Sequence, residues 1–384
     1  MRCLLVFAAT LAGLGDAVAQ SPIAASTSVE TGWTSNAQDS FGGVADVYVR
    51  HDSEASVSGA WGPMTLRAGL TLEQTSFIQV TQENDLSIGG GVELGYALRE
   101  GIGLRTGYEV TRSWTGEAVD LGALRIGVLS PAWEHEALAE VMLAGEGRQV
   151  TLGVDALVRF PGESMFDGLE IDPLRLESEV SLVTVRADGQ LALSPQVAAL
   201  ARARGFFTSV PVADQEEFGR EPADGAQVAG GILVEQGAIT FEGRAGFDVV
   251  WPENAPRLWQ FVPYTDVSAM LAASERLSVT ARALREVELV APIDGVASAV
   301  TEAELGARLS VAEAVALSGS VGVRREVGLY DPNASQTKRQ VSAGVSFAPS
   351  ANTELGLLAK AAWVEEPTGA YDSTSLAATF KGSL

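Results

Sequence analysis

Alternation of apolar and polar residues over stretches of about ten residues is the feature that most constrains the fold of this chain. The clearest stretch runs from Ile239 to Val249. One face of a strand here would carry Ile239, Phe241, Ala245, Phe247 and Val249, and the other would carry Thr240, Glu242, Arg244 and Asp248. A strand of a soluble core rarely puts three charges on one face, whereas a strand between lipid and a wet interior does. The pattern therefore predicts a membrane-spanning β-strand.

The same alternation recurs along the chain, in residues 64–73, 87–98, 102–111, 302–311, 315–327 and 354–363. The connections alternate too, because short ones near 62, 100, 237, 275, 313 and 350 separate longer ones at 211–225, 252–258, 292–298, 331–337 and 365–370. Short periplasmic turns and longer external loops in this order are typical of bacterial outer-membrane barrels, and they require an even strand count. We predict an all-β fold, a transmembrane antiparallel up-and-down β-barrel of about 18 strands, with 16 as the alternative. The higher count requires residues 121–143 to form one long strand.

The N-terminal residues have the pattern of a secretory leader. Arg2 precedes the apolar residues 4–14, and Ala17-Val18-Ala19 provides a small-x-small cleavage site. We therefore expect residues 1–19 to be a signal peptide and residues 20–384 to form a single barrel domain. The only cysteine, Cys3, lies in this leader, so we expect no disulfide in the exported chain.

Charge and composition exclude several classes of function. The chain has 49 Asp and Glu against 26 Lys and Arg, a net charge of −23, which argues against nucleic acid as a partner. The two histidines, His51 and His135, are not in a metal-ligand spacing, and no Ser, His and acid grouping appears. We therefore expect no enzyme activity and no cofactor. An acidic stretch, 214–217 with Glu221 and Asp224, reads as a solvated loop or as a site for a divalent cation, bound directly or bridging lipopolysaccharide phosphates.

Charged residues on the polar face of the predicted strands are the candidate lumen residues. They are Arg67, Glu93, Arg105, Glu109, Glu242, Arg244, Asp248, Arg282, Glu302, Glu304, Arg308, Arg324 and Glu326. Residues two or four apart share a face, which predicts the pairs Arg105–Glu109, Glu242–Arg244, Glu304–Arg308 and Arg324–Glu326. Such pairs either stabilise a polar interior or create a field across a pore. Neither sign dominates the set, so weak ion selectivity is expected.

Both ends of the predicted barrel resemble porin-type β-barrel proteins of Gram-negative outer membranes. Residues Val29 to Asn36 (VETGWTSN) resemble the Gly-aromatic-x-Ser-Asn start of that family. The final strand, Leu376 to Leu384, resembles the C-terminal signal read by the barrel-assembly machinery, with Leu376, Ala378, Phe380 and Leu384 on one face. The resemblance implies an outer-membrane location, with outer-membrane lipid and lipopolysaccharide as surroundings and the barrel-assembly machinery as a partner. Some members of such families resemble components of exopolysaccharide secretion.

Three functions remain open at this point. The first is a porin-like passive channel for small solutes or ions. The second is a barrel for secretion or anchoring of an exopolysaccharide, and the third is a structural or adhesive barrel without transport. A barrel of 16 to 18 strands normally leaves an aqueous interior, which favours the first two.

Overall fold

The structure is a computed structural model, and it describes residues 23–40, 42–121, 124–166, 174–255, 257–367 and 369–384. The predicted signal peptide lies outside these residues. Strands make up 77% of the described chain, and there are nineteen of them. They are β1 (Ile23–Thr34), β2 (Asp46–Trp61), β3 (Met64–Phe77), β4 (Asp85–Arg99), β5 (Ile102–Leu121), β6 (Leu124–Gly145), β7 (Arg148–Pro161), β8 (Met165–Phe166), β9 (Val180–Ser194), β10 (Val197–Ser209), β11 (Ala223–Gln236), β12 (Ile239–Pro252), β13 (Gln260–Ala272), β14 (Leu277–Glu288), β15 (Ser298–Ala312), β16 (Val315–Gly328), β17 (Ser335–Ser350), β18 (Thr353–Glu366) and β19 (Gly369–Ser383).

The strands close into a barrel. Each wall strand pairs antiparallel with the next along the chain, and β1 pairs with β19, so that the sheet has no free edge. The two-residue strand β8 pairs only with Val128 and Leu129 of β6. It is not part of the closed ring, because β7 pairs directly with β9. The wall therefore has 18 strands, as the alternation and the connection lengths predict. The one long strand that this count requires is β6, although its bounds differ from residues 121–143, since Leu121 ends β5 and β6 runs from Leu124 to Gly145.

The two faces of the wall differ in chemistry. Residues directly opposite each other on neighbouring strands share a face, and one face carries large, exposed apolar side chains such as Val228 (67% exposed), Phe247 (62%) and Phe261 (61%). On the other face, Arg202 of β10 reaches Asp266 of β13, although β11 and β12 lie between them. Side chains of strands this far apart can meet only on the concave side of a closed sheet. The apolar face therefore points outward and the charged face points into the lumen.

Short turns lie at one end of the barrel and long connections at the other. Gly62, Gly101, Gly147 and Gly237 adopt positive φ values of 58°, 75°, 65° and 59° in the short turns, a conformation that favours glycine. The long connections contain the two helices of the described chain, a single 3₁₀ turn at Thr81–Glu83 and α1 at Val212–Phe218. Among the described residues, no helix has the length and apolar character needed to cross a membrane.

Candidate functional site

The lumen is the candidate site because it collects most of the charged side chains of the strands. The strand registers place all thirteen charged residues singled out from the sequence on the inward face. They also place other charged residues there that the sequence analysis missed, which are Glu136, Glu140, Asp155, Arg186, Asp188, Arg202, Arg204 and Asp266. Most of these lie between residues 134 and 206, where apolar residues such as Leu138, Leu182 and Phe206 also face inward and hide the alternation.

One group of ion pairs links β4, β5, β6, β7 and β9. Arg105 donates to Glu93 at 2.7 Å and to Glu140 at 3.2 Å. Arg186 donates to Glu140 from the other side and lies 2.9 Å from a carboxylate oxygen of Asp155. Glu140 is therefore held between two guanidinium groups, and only 11% of its side chain is exposed.

A second group continues from β9 to β13. Arg202 donates to Asp188 at 2.7 Å and to the hydroxyl of Tyr264 at 2.9 Å, and it lies 4.0 Å from Asp266. Arg244 pairs with Glu242 and lies 3.9 Å from the same Asp266. With the first group, these residues form a belt of alternating charges across nine wall strands, from β4 to β13. We call this belt the paired arc and define it by Arg105, Glu140, Arg186, Arg202, Asp266 and Arg244.

Small residues make the longer contacts of the paired arc possible. Arg202, Ala229, Gly246 and Tyr264 lie directly opposite one another on β10, β11, β12 and β13. Arg202 and Tyr264 can therefore contact each other across β11 and β12, because the two residues between them are an alanine and a glycine. Gly153 has the same role on β7, because it lies opposite both Glu140 and Arg186 and leaves room for their contact.

A separate triad lies on β15 and β16. Arg324 pairs with Glu302 on the neighbouring strand and lies 3.7 Å from Glu326 on its own strand. Glu326 also accepts a hydrogen bond of 2.6 Å from the hydroxyl of Ser298. The triad thus ties one arginine to two carboxylates.

The structure brings together two of the four pairs expected from sequence spacing, Glu242–Arg244 and Arg324–Glu326. The prediction for Arg105 is wrong in its partner, since Glu93 and Glu140 on the neighbouring strands bind this guanidinium instead of Glu109. Glu304 and Arg308 share a face but form no ion pair within 4.0 Å in the described chain. Contacts across the strands therefore take precedence over spacing along a strand.

Several inward charges are exposed and have no partner among the described side chains. On β14, β15 and β18 they are Arg282, Glu304, Arg308 and Lys360, which we call the open arc. On β5 and β6 they are Glu109 and Glu136, which lie directly opposite each other beside a cavity of about 530 Å³. Two like charges in this arrangement are unfavourable unless water solvates them. Their exposure shows that solvent-accessible space runs along both sides of the lumen.

The loops at one rim fold over inward-facing residues. Ala223, Val250, Leu289 and Ala297 form a buried apolar cluster there. The guanidinium of Arg220 is buried among backbone carbonyl oxygens of residues 289–296, including that of Gly295 at 3.0 Å. This burial lowers the pKa of Arg220 to about 10. The loops are therefore fixed to one another rather than free above the opening.

Two loop carboxylates also have structural contacts. Asp294 accepts hydrogen bonds from the backbone amides of Val296, Ala297 and Tyr330 at 2.8 to 2.9 Å. Burial raises the pKa of the Tyr330 phenol, also in a loop, to about 12. Asp214 is buried, pairs with Arg175 at 2.5 Å and accepts the backbone amide of Glu179. The first carboxylate of the acidic stretch is thus occupied by protein groups.

Neither histidine faces the lumen. His51 and His135 lie on the outward face, where His51 contacts the hydroxyls of Thr27 and Ser53 and His135 contacts that of Tyr108. Across the residues that the structure describes, no group of three or more His, Cys, Asp or Glu side chains is arranged to hold a metal ion.

No protein-family model and no curated protein matches the sequence. Solved structures share the fold at very low sequence identity. The copper transporter OprC is 7% identical with a TM-score of 0.54, over 95% of this chain and 81% of that chain. The ferric enterobactin receptor PfeA of Pseudomonas aeruginosa is 7% identical with a TM-score of 0.51, over 94% and 80%. CdiB from Acinetobacter baumannii is 8% identical with a TM-score of 0.50, over 94% of this chain and 60% of CdiB. The chain thus has the closed-barrel fold of Gram-negative outer-membrane proteins.

Proposed function

We propose that this chain is an outer-membrane barrel whose lumen passes small hydrophilic solutes or ions by passive diffusion. The observation that carries the proposal is the set of exposed, unpaired charges on the lumen face, above all Glu109, Glu136, Arg308 and Lys360. A plugged or tightly packed interior would have to pair or bury these groups, since an unpaired charge without water is costly. A barrel of 18 strands is also wide enough for an aqueous interior.

The unpaired charges suggest how ions would move. In an 18-strand ring, Arg308 on β15 lies nine wall strands from Glu109 on β5, on the opposite side of the lumen. Acidic groups on one side and basic groups on the other produce a field across the pore rather than along it. Salt screens such a field beyond about 8 Å, so permeating ions meet it only near each wall. We therefore expect weak selectivity between cations and anions.

Membrane insertion is tested first, separately from transport. A closed sheet has no edge from which detergent can unzip it, so an unboiled sample should migrate faster on a gel than a boiled one. Leu357 faces outward, so Leu357→Arg should destabilise the folded barrel by about 2–4 kcal/mol if the site is near the bilayer midplane. Thr240 faces the lumen, so Thr240→Arg should be tolerated. Equal damage from the two substitutions would contradict the assignment of the faces.

Planar bilayers test transport. The purified full chain should give steady conductance with weak ion selectivity. Replacing Glu109 and Glu136 together by Gln should shift the permeability ratio towards anions by roughly twofold, because two unscreened carboxylates leave one wall. Leu357→Ala is the matched control, since it changes the outer wall and no lumen charge. A protein that shows heat-modifiable migration but no conductance would contradict the channel and leave the barrel intact.

A further inference from the structure

Three arginines point outward from the loop end of the barrel. They are Arg285 on β14, Arg325 on β16 and Arg339 on β17, and together they define the arginine patch. Thr301 on β15 lies directly opposite both Arg285 and Arg325, and Arg339 is one diagonal step from Arg325. Neighbouring strands are about 4.8 Å apart, so Arg285 and Arg325 are about 10 Å apart at the backbone. Flexible arginine side chains can converge on one ligand across that distance.

The patch is an exception on this part of the wall. Apart from Thr301, Thr337 and Ser335, every other outward position of β14 to β17 is apolar or glycine. An arginine on a lipid-facing wall costs about 2–4 kcal/mol at the bilayer centre and close to nothing near the interface. Each arginine of the patch lies within four residues of the loop end of its strand, and the exposed Trp363 lies opposite Arg339. Tryptophan at this position is typical of a membrane–water interface.

The protein leaves the patch with excess positive charge. Arg339 donates to Glu365 at 2.7 Å. Arg285 and Arg325 have no carboxylate within 4.0 Å among the described residues, and the Nε of Arg285 is shielded from solvent without an acceptor. The chain has a net charge of −23, so carboxylates are abundant, yet none of the described ones lies beside these two guanidinium groups.

We propose that the arginine patch binds the phosphate of a phosphorylated lipid headgroup in the leaflet at the loop end of the barrel. Guanidinium groups bind phosphate through two parallel hydrogen bonds. Thr301, between Arg285 and Arg325, and Thr337, opposite Arg325 on β17, supply hydroxyl groups as further donors. A headgroup at this height neutralises the two unpaired cations while its acyl chains cover the apolar wall below. The inference rests on the membrane location in the proposed function and is independent of conductance.

The test measures lipid retention by the full-length protein in detergent. Diphosphorylated lipid A and phosphatidylcholine are supplied together, and lipid bound to the barrel is counted by native mass spectrometry. The wild-type protein should retain lipid A in preference to phosphatidylcholine, and raised salt should weaken that preference. Arg325→Gln should reduce retention about fivefold, the effect of one basic residue near an anionic membrane surface, and the variant lacking all three arginines about a hundredfold.

Two variants separate lipid binding by the patch from general effects on the protein. Arg112→Gln is the matched control, because Arg112 also faces outward but already stacks on Trp114 and Trp133 at 5.0 and 4.9 Å, and it should keep retention within twofold. Arg325→Gln removes no contact within the chain, so it tests the patch even where the triple variant does not assemble. Unchanged lipid A retention in Arg325→Gln would overturn the inference. The inference would also be overturned if the wild-type protein formed a dimer that Arg325→Gln abolished, because the patch would then bind a second copy of this chain. If boiled and unboiled wild-type protein migrated alike, the membrane barrel itself would be contradicted instead.

Discussion

The paired arc and the open arc line the same lumen, yet they use charge in opposite ways. In the paired arc, each guanidinium group contacts at least one carboxylate at 3.2 Å or less, and Glu140 and Asp266 each lie within reach of two arginines. In the open arc, Arg308 lies between Ser278 and Ser318, and Lys360 lies between Ser342 and Ser375. Hydroxyl neighbours offer no countercharge, so water must solvate these cations. The difference separates charges that hold the wall together from charges that are exposed to solvent in the lumen.

Packing beneath the charges explains the paired arc. Its longer contacts reach over one or two strands, which requires glycine or alanine at the positions in between, as at Gly153, Ala229 and Gly246. A larger residue there would fill the space where two charged side chains meet. Replacing one of these glycines should therefore lower the free energy of unfolding more than removing any single charge does.

The largest effect is expected from Gly246→Ala. A Cβ at this position would lie well inside van der Waals contact of the carbonyl oxygen of Val228 and within 2.6 Å of the Cα of Ala229. Backbone atoms cannot rotate away, so the sheet must shift, and we expect a loss of about 3 kcal/mol or more in the free energy of unfolding. Urea denaturation in detergent, followed by tryptophan fluorescence, measures it.

Gly107→Ala on β5 is the matched control for this glycine. It also faces the lumen, but a Cβ there would contact its nearest neighbours at an ordinary 3.7 and 3.9 Å. Its stability should remain within about 0.5 kcal/mol of the wild type. Similar losses in both variants would show that the close approach of β11 and β12 is not what distinguishes Gly246.

The next effect is expected from Arg186→Met in the paired arc. This substitution leaves Glu140 with one arginine and Asp155 without an ion pair, and the side chain of Glu140 is mostly buried. Breaking a shielded pair from one side leaves an uncompensated charge, so we expect a loss of about 2–3 kcal/mol in the same assay. Arg308→Met in the open arc should leave stability unchanged. Equal losses would mean that the two arcs do not differ in how they support the wall.

Strand count and the orientation of the faces could be predicted from the sequence because both are local properties. Period two fixes which residues share a face, and turn residues mark the strand ends at Gly62, Gly101 and Gly237. The closed 18-strand wall follows from counting such segments. The long strand β6, which contains Pro131, was not predicted from its own pattern, and one long strand in this region was only the condition for a count of eighteen.

The contacts within the lumen could not be predicted in the same way. Arg202 meets Tyr264 and Asp266, more than 60 residues away, because the register places Ala229 and Gly246 between them. Register between strands depends on turn geometry along the whole barrel, which spacing within one strand does not contain. The rim contacts of Arg220 with residues 289–296 are equally remote in sequence.

Arg324→Gln should have an intermediate effect, since the triad combines features of both arcs. Arg324 holds Glu302 and Glu326, but 46% of its side chain is exposed, so solvent offsets much of the loss. We expect about 1 kcal/mol less stability and a clear shift of the permeability ratio towards cations, because two carboxylates become unpaired. Arg324→Lys keeps the charge and should restore selectivity more completely than stability. A selectivity unchanged by Arg324→Gln would place the triad away from the path of ions.

The smallest structural effect, and the sharpest test of the open arc, is expected from Arg308→Gln. Arg308 is exposed and has no partner among the described residues, so its removal breaks no contact, and stability should stay within about 0.5 kcal/mol of the wild type. Its charge nevertheless faces the lumen opposite Glu109, so losing it should shift the permeability ratio towards cations by roughly twofold at low salt and by less at high salt. Reversal potentials in planar bilayers at two salt concentrations measure the shift. A shift without loss of stability would establish that the open arc acts on permeating ions alone. No shift at low salt would mean that ions pass the barrel out of reach of this wall, or do not pass it.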